Sequence, residues 1–379
     1  MKKKVLYLDH TPFAGGAQYV LGAHLKELDK SKFEPIVVCS NQTPFLIDLY
    51  KSSGAKVVVI NFGKLKILSP TAIWRFWKTI QELTKVLKEE SPDLVVTNTV
   101  RAHITGSLAA RSLRIPVIWI IRDYTFPHFL LRYLLSIPKK ILTVSQDLVD
   151  YYHLPGLPKT EIIYVGSAYE ESKKKISPTQ VKEVKESLKL LPGEVVIGFV
   201  GRLVRWKGAS VLIEALRIVA ETESAIKAVI VGGGQNQEDS NELELKNLVK
   251  AYGLAKMVTF TGFVPQEKVN VLYQIFDIFV HPSLEPEPFA TVVVEAMTVP
   301  LSVIGTNIGG TPEIIKDHKN GLLVPPGDPE ELAKAILTLI KDKKLREDVA
   351  QEAYRSVYPR LSEKVITRKI ETIFDQVLE

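Results

Sequence analysis

Short apolar segments alternate with amphipathic ones along the whole chain, and this alternation constrains the fold more than any other feature. In the first half the apolar segments are VLYLD (5–9), EPIVVCS, AKVVVI, DLVVTNT, PVIWIIR and KILTVS. The second half repeats the scheme with VVIGFVGRL, AIKAVIVGGG, MVTFTGF, IFDIFVHPS, LSVIGTN and GLLVPP. Continuous apolar strands separated by helices indicate parallel sheets covered on both faces. The sequence therefore predicts an α/β protein with two Rossmann-like domains.

Length and composition fit this class. A chain of 379 residues admits two ordinary domains, and 46% hydrophobic with 24% charged residues is typical of soluble globular proteins. The single cysteine, Cys39, excludes an internal disulfide and indicates a reducing compartment. No apolar run reaches the roughly 18 residues of a membrane span. We therefore expect a cytoplasmic protein, and a position at the inner face of the plasma membrane stays open.

The positive charge is concentrated in the first half. Residues 1–170 carry 22 Lys and Arg against 14 Asp and Glu, whereas residues 171–379 carry 27 against 29. A basic half suggests an anionic acceptor or surface nearby, although a high pI without a partner explains the same numbers.

Two apolar segments with basic flanks, 64–80 and 126–140, have the composition of interfacial helices. In the first, Ile73, Trp77, Ile80, Leu83 and Leu87 follow helical spacing, which predicts the core face of an ordinary helix. For the second, core packing and contact with an anionic membrane both stay open.

The chemistry is concentrated at residues 281–328, where Glu287 and Glu295 lie eight positions apart. Pro288 and Phe289 lead into a helix that should begin near Ala290, so Glu287 is predicted on a loop and Glu295 about two turns along the helix. The free N–H groups at Ala290 and Thr291 suit an anion, most simply a phosphate. The two carboxylates suit sugar hydroxyls beside it.

A loop after an apolar strand supplies cations. Gly201, Arg202 and Lys207 follow VVIGFV, and two cations five positions apart can grip a diphosphate. The alternative is a solvated surface pair.

Three glycine-containing turns also follow strands, at Gly15-Gly16, at Gly233 in VGGGQ and at Gly262-Phe263-Val264. Each allows a ligand to approach the backbone, or is a turn without a ligand. The first turn lacks both G-x-G-x-x-G and an acid after the second strand, which argues against a dinucleotide cofactor.

His103 and Arg122 follow strands of the first half. A histidine there is either functional or structural. Arg122 could bind an anionic acceptor or steady a leaving group, or form an ion pair with Asp123 or another acid. We find no D-x-D triplet and no cluster with metal spacing, so no metal and no cofactor are expected. Arg202, Lys207 and the helix start would then neutralise a diphosphate.

The ordered string of Glu-x7-Glu, EAM, IGGTPEII and NGLLVPPGDPEELAKAI resembles family 4 of the retaining glycosyltransferases, which have the GT-B fold. The resemblance implies an acceptor domain at 1–170 and a nucleotide-sugar domain at 171–360, facing each other across a cleft. It also implies that a helix within 361–379, at Glu363–Leu378, crosses back to the first domain.

The resemblance also implies roles. Glu295 would bind the ribose, Glu287 the donor sugar, and the GR-x-x-x-KG loop with Arg202 and Lys207 the diphosphate. Residues 262–264 would meet the nucleobase through backbone groups, and Gly15-Gly16 would lie over the phosphates and acceptor. Two positions depart from the family: Gln18 replaces a frequent Glu, and Arg122 replaces a frequent His.

The implied activity is retaining, metal-independent transfer from a nucleoside diphosphate sugar, a UDP-sugar ahead of a GDP-sugar. The acceptor would be a glycan or a lipid-linked sugar in surface polysaccharide or glycolipid synthesis, with no nucleic acid partner. A sugar-nucleotide 2-epimerase and a non-catalytic glycan- or nucleotide-binding protein are the alternatives.

Overall fold

The computed structural model describes residues 1–11, 15–40, 44–62, 70–124, 133–154, 159–169, 176–233 and 241–379. The chain forms two compact units, Met1–Gly166 with Glu363–Glu379, and Ser167–Ser362. Each contains one parallel sheet, which confirms the predicted fold class. The boundaries after Gly166 and Ser362 lie close to the predicted 170 and 360. The polar, Lys-rich run at 167–177 predicts the linker between the two domains. Residues 170–175 of this run and residues 126–132 of the segment 126–140 lie outside the described residues.

The first unit has a seven-stranded sheet in the order β3-β2-β1-β4-β5-β6-β7. Its strands are β1 (Lys3–Asp9), β2 (Phe33–Ser40), β3 (Lys56–Ile60), β4 (Leu94–Thr97), β5 (Val117–Ile121), β6 (Lys140–Thr143) and β7 (Thr160–Ile162). Every residue of β1 from Val5 to Asp9 is buried, because helices cover both faces of the sheet.

The described helices of the first unit are Gly16–Glu27, Pro44–Ser52, Pro70–Glu90, Val100–Ser112, Gln146–Tyr151 and Glu363–Leu378. The last of them packs on the first unit, as predicted. Thr367 Oγ1 lies 3.0 Å from Nδ1 of His24, and the Asp29 N–H donates to Glu371 at 2.7 Å. Phe374 is fully buried among aromatic rings that include Tyr7.

The second unit has a six-stranded sheet in the order β10-β9-β8-β11-β12-β13. Its strands are β8 (Val195–Val200), β9 (Ile226–Val231), β10 (Val258–Gly262), β11 (Ile278–His281), β12 (Ser302–Thr306) and β13 (Leu322–Val324). Its described helices are Pro178–Ser187, Ala209–Val219, Glu242–Ala251, Gln266–Tyr273, Thr291–Met297, Thr311–Ile314, Pro329–Lys341 and Lys343–Val357, with a 3-10 turn at Arg205–Lys207.

The helix Pro70–Glu90 corrects one prediction. Ile80, Leu83 and Leu87 are buried as expected, but Ile73 and Trp77 are 67% and 57% exposed. The buried arc of this helix also includes Thr79 and Val86, and its centre therefore lies well to one side of Ile73 and Trp77. The prediction that Ile73 and Trp77 pack in the core is therefore wrong.

Candidate active site

The site of the second unit lies where the strand order of its sheet reverses, between β8 and β11. Strands β8, β9 and β10 follow one another toward one edge, whereas β11 pairs with the other side of β8 and starts the opposite half. In open parallel sheets, ligands bind at the carboxyl ends of the strands beside such a reversal. The loops 201–208 and 282–290 both begin there, and they contain most of the predicted donor-site residues.

Backbone contacts join these two loops closely. The Leu284 N–H donates to the Trp206 carbonyl at 2.7 Å. Gly208 has a φ of +72°, and a β-carbon there would lie 1.8 Å from the Pro282 carbonyl oxygen. Only glycine fits this close approach, which explains why a glycine follows Lys207.

Glu287 is buried at the junction of the two loops, and both carboxylate oxygens are occupied. Lys207 Nζ lies 2.5 Å from Oε2 in an ion pair whose side chains are 12% and 11% exposed. Ser283 donates to Oε1 at 2.8 Å, and His281 Nε2 lies 2.9 Å from the same oxygen. The structure thus pairs two residues that the sequence assigned to different parts of the donor, Glu287 to the sugar and Lys207 to the diphosphate.

The surroundings keep Glu287 ionised. Burial by itself raises the pKa of this carboxyl, but the neighbouring His281 and Lys207 outweigh burial and hold the pKa well below its usual range. Burial lowers the pKa of Lys207, and the ion pair with Glu287 opposes that shift. We infer a charged pair, because each partner stabilises the ionised form of the other.

Arg202 lies beside this pair but is exposed. Its guanidinium carbon is 5.5 Å from the centre of the Trp206 ring, and Lys207 Nζ is 4.6 Å from the same ring. Trp206 therefore positions both cations, and Arg202 repels the charge of Lys207 slightly, which also lowers the pKa of that amine. Within the described part of the chain, Arg202 forms no ion pair.

The IGGT segment supports the backbone of Glu287. The Gly310 N–H donates to the Glu287 carbonyl at 2.8 Å. Gly309 has a φ of +59°, and a β-carbon there would lie 2.6 Å from the Glu287 nitrogen and oxygen. The two glycines thus let the loop after β12 lie directly against the loop that carries the carboxylate.

Glu295 is the fifth residue of the helix Thr291–Met297, slightly nearer the start than predicted. Tyr273 donates to its Oε2 at 3.0 Å, and Gln266 Nε2 lies 3.5 Å from the same oxygen. Burial raises the pKa of Glu295 to about 7, against the opposing effect of these two donors. This carboxyl can therefore change protonation near neutral pH.

The other predicted donor residues lie along the same edge of the sheet. The Gly201 N–H donates to the Val231 carbonyl at 3.0 Å, and the Gly232 N–H donates to Gly262 at 3.1 Å, next to Gly233. Phe263 is exposed and Val264 half-buried, while Phe289 and Ala290 are buried and Thr291 is half-buried. The helix Thr291–Met297 has only seven residues, and its N-terminus alone does not establish the predicted anion site.

In the first unit, Gly15 precedes the helix Gly16–Glu27, and Gly16 is exposed at its start. Gln18 accepts from the Gly15 N–H at 3.1 Å and donates to Asp9 Oδ1 at 3.2 Å and to Thr11 at 3.1 Å. The turn is thus fixed by a side chain of the helix it begins.

His103 is fully buried and its ring stacks on Trp119 with centroids 4.0 Å apart. One ring nitrogen lies 2.9 Å from Thr97 Oγ1 and the other 3.3 Å from the Leu134 carbonyl. Burial lowers its pKa to about 3, so the ring is neutral at physiological pH. Of the two roles that the sequence left open, this geometry favours the structural one.

Arg122 donates through Nε to Asn98 Oδ1 at 2.7 Å. Burial lowers its pKa to about 10, and the charges of Glu363 and Asp9 oppose that shift. With Glu363 and His24, Arg122 lines a small cavity within the first unit. The guanidinium remains protonated at neutral pH and is available as a cation, not as a base.

Sequence reasoning missed His281, Ser283, Tyr273 and Gln266, which hold the two carboxylates. His281 and Ser283 stand at the end of a strand and just beyond it, which is a usable signal for site residues. Tyr273 and Gln266 lie 22 and 29 positions from Glu295, and no local pattern indicates them.

No cluster of three or more His, Cys, Asp and Glu side chains suited to a metal occurs among the residues described. The helices of the described ranges are each too short or too polar to act as a membrane span.

Two family models match the two halves of the chain. Residues 14–167 match the model of Glycosyltransferase Family 4, and residues 180–356 match that of Glycosyl transferases group 1. The uncharacterized glycosyltransferase MJ1607 of Methanocaldococcus jannaschii is 30% identical over 63% of this chain and 60% of its own length. The capsular polysaccharide biosynthesis glycosyltransferase CapM of Staphylococcus aureus is 25% identical over 81% of this chain and 83% of its own.

Solved structures resemble the whole chain. Anabaena HepE in complex with UDP and glucose has a TM-score of 0.82 and 26% identity, covering 98% of this chain and 99% of that one. A Rickettsia africae glycosyltransferase, at 22% identity and a TM-score of 0.87, shows the same fold. The chain therefore belongs to the group 1 glycosyltransferases of family 4 and is a transferase with the GT-B fold.

Proposed function

We propose that this enzyme transfers a sugar, with retention and without a metal, from a nucleoside diphosphate sugar to an acceptor hydroxyl. The observation that carries the proposal is the buried Lys207–Glu287 pair beside exposed Arg202, at the reversal point of the second sheet. This arrangement offers cations to a diphosphate and a carboxylate to sugar hydroxyls within two adjoining loops.

The diphosphate is assigned to Arg202 and Lys207. An exposed guanidinium can form forked hydrogen bonds with phosphate oxygens. The Lys207 ammonium has three N–H groups, of which Glu287 takes one, so two are left for phosphate. These cations stabilise the departing diphosphate in place of a metal ion.

The two carboxylates are assigned to hydroxyl groups. An ionised carboxylate accepts about four hydrogen bonds. Lys207 donates to Oε2 and Ser283 to Oε1 of Glu287, and His281 Nε2 lies 2.9 Å from Oε1, so a second acceptor position on Oε2 is assigned to a donor-sugar hydroxyl. Glu295 is assigned to the ribose hydroxyls, and the backbone at 262–264 to the base.

In the reaction we propose, the bond between the anomeric carbon and the diphosphate oxygen breaks with its electron pair remaining on oxygen. The acceptor oxygen bonds to the anomeric carbon on the same face, and its proton passes to the departing phosphate oxygen. No protein base is needed, which is compatible with Arg122 at the position where relatives often have His.

The donor is proposed to be a UDP-sugar. HepE structures contain UDP or UDP-glucose at 26% identity over 98% of this chain. The acceptor is proposed to be a glycan or lipid-linked sugar in surface polysaccharide synthesis, since CapM is named for capsular polysaccharide. The first unit is assigned to this acceptor.

A thermal-shift panel of UDP, GDP, ADP and their sugars, with and without EDTA, tests the donor. A ligand at about 100 times its Kd stabilises the folded state by about 2.7 kcal/mol. We expect the largest shift with UDP compounds, unchanged by EDTA. A shift that EDTA abolishes would refute metal independence, and the absence of any shift would favour a non-catalytic glycan-binding protein.

Product analysis with the stabilising donor separates the remaining classes. Transfer to an added acceptor, or slow release of free sugar with retained configuration, supports the transferase. Release of an epimerised nucleotide sugar would instead identify a 2-epimerase. The Arg202→Gln variant is the control, because it should lose turnover while remaining folded.

A further inference from the structure

The helix Pro70–Glu90 in the first unit has an apolar outer face as well as a buried one. Ile73, Trp74 and Trp77 are 67%, 64% and 57% exposed. Helical geometry places Trp74 opposite the arc that contains the buried Leu83, with Ile73 and Trp77 on the shoulder between them. We call Ile73, Trp74 and Trp77 the tryptophan face.

The tryptophan face is not part of the core that this helix builds. Farther along, the inner side of the helix fills the first unit's core with Ile80, Leu83 and Leu87. Among the described helices, this is the one with three large hydrophobic side chains exposed. Such a local concentration indicates a contact surface, because single exposed apolar residues are normal but clusters are costly.

Positive charge surrounds the tryptophan face. Residues 70–81 include Arg75 and Lys78, both exposed, and no acidic residue. Lys78 Nζ lies 5.3 Å from the centre of the Trp74 ring, so the cation and the ring share one site. Farther along the helix, Lys85 and Lys88 are exposed, but Glu89 is exposed too and lies 3.8 Å from Lys85, so the excess of positive charge beside the tryptophan face comes from Arg75 and Lys78.

The exposed tryptophans and the neighbouring cations together indicate what kind of surface binds the tryptophan face. Tryptophan prefers the boundary between lipid headgroups and hydrocarbon, and adjacent Lys and Arg bind anionic headgroups. A second copy would bring two equally basic surfaces together, which charge repulsion opposes. Residues 1–170, with 22 basic against 14 acidic residues, carry a charge complementary to an anionic bilayer.

We propose that the tryptophan face docks the first unit onto a membrane that contains anionic phospholipid. Trp74 and Trp77 insert at headgroup depth, Ile73 extends the apolar contact, and Arg75 and Lys78 bind the headgroup phosphates. Docking does not depend on transferase activity, so failure of either proposal leaves the other standing.

The test is co-sedimentation of the whole protein with vesicles of equimolar phosphatidylglycerol and phosphatidylcholine, compared with phosphatidylcholine alone. We expect binding to the anionic vesicles at low salt and a marked loss at high salt. Replacing both Trp74 and Trp77 by Ser should lower the partition coefficient at least about tenfold. Leu243→Ser, an exposed apolar residue on a helix of the second unit, is the matched control and should leave binding unchanged.

Tryptophan fluorescence gives a second readout. Brominated lipid should quench the parent protein strongly and the double variant weakly, because the two remaining tryptophans are Trp119, which is buried, and Trp206, which is half-buried in the second unit. The Lys78→Glu variant keeps both tryptophans and should also bind weakly. The proposal is overturned if the parent protein does not bind anionic vesicles, or if the variants bind these vesicles as strongly as the parent does. It is equally overturned if sedimentation velocity shows a dimer that depends on Trp74 and Trp77 and does not bind vesicles.

Discussion

The buried Lys207–Glu287 pair gives the sharpest prediction. Replacing Lys207 with Met removes the ammonium 2.5 Å from a carboxylate that is 11% exposed, and leaves that carboxylate with Ser283 and His281. Losing one partner of a buried pair costs about 3–5 kcal/mol. Without Lys207, Glu287 can bind a proton instead of staying buried as an unpaired charge. Protonating a carboxyl of ordinary pKa at pH 7 takes about 3 kcal/mol, which sets an upper limit on the cost of the substitution.

We therefore expect Lys207→Met to lower the free energy of unfolding by about 3 kcal/mol at pH 7, which corresponds to about 6–12 °C in Tm for a unit of this size. The double variant Lys207→Met with Glu287→Gln should be clearly more stable than the sum of the single effects predicts. The measurement is urea unfolding of the four proteins, compared by midpoint and slope.

The contribution of Glu287 to the free energy of unfolding changes with pH in a defined direction. The pKa of Glu287 is lowered in the folded protein, so its contribution to stability is present above the ordinary carboxyl pKa and is lost as pH falls toward the lowered value. The gap between the parent and Lys207→Met should therefore shrink as pH falls below the ordinary carboxyl pKa.

An exposed pair supplies the control. Lys344 Nζ lies 2.9 Å from Asp348, with side chains 86% and 65% exposed. Lys344→Met should leave the free energy of unfolding nearly unchanged, because an exposed ion pair contributes little. If Lys207→Met costs as little as this control, or if the single effects simply add in the double variant, Glu287 and Lys207 do not act as the coupled pair inferred here.

Three further predictions address the rest of the site. Arg202→Gln should lower kcat/KM by about 10²–10³ while changing the free energy of unfolding by at most about 0.5 kcal/mol, measured by steady-state kinetics and urea unfolding. The pKa of Glu295 is raised to about 7, so its contribution to stability is present below the ordinary carboxyl pKa and is lost as pH rises through 7. UDP-sugar binding, followed by calorimetry, should tighten over the same rise because the ribose needs the carboxylate, and Glu295→Gln should remove this dependence. Gly208→Ala should cost about 2–4 kcal/mol, because a β-carbon would lie 1.8 Å from Pro282, whereas Gly253→Ala, with a similar φ but open space, should cost about 1–2 kcal/mol.

Both sheets could be predicted from the sequence because their strands are buried on both faces. Val195–Val200 and Ile278–His281 are nearly continuous apolar runs, and their spacing along the chain predicts parallel pairing. The loops that follow these strands then meet at one edge of the sheet, which is why Arg202, Lys207 and Glu287 could be assigned to one site.

Side-chain partners were harder to predict because they depend on packing. The helical spacing of Ile73 and Trp77 is compatible with a buried face, and only the position of the sheet decides where that face ends. Lys207 and Glu287 are 80 positions apart, so their direct pairing follows from the contact between two loops and not from either motif.

The two departures from the family pattern in the first unit belong to one electrostatic network. Asp9 is fully buried and accepts from Gln18 at 3.2 Å and from Tyr50 at 2.5 Å. A glutamate at position 18 would place a second carboxylate against Asp9, and one of the two would need a proton. Gln18 donates a hydrogen bond instead, and the Arg122 cation interacts favourably with the charge of Asp9. The replacement of Glu by Gln18 and of His by Arg122 therefore acts in one direction, since Gln18 supplies a hydrogen-bond donor and Arg122 a positive charge to the buried Asp9 beneath the glycine turn.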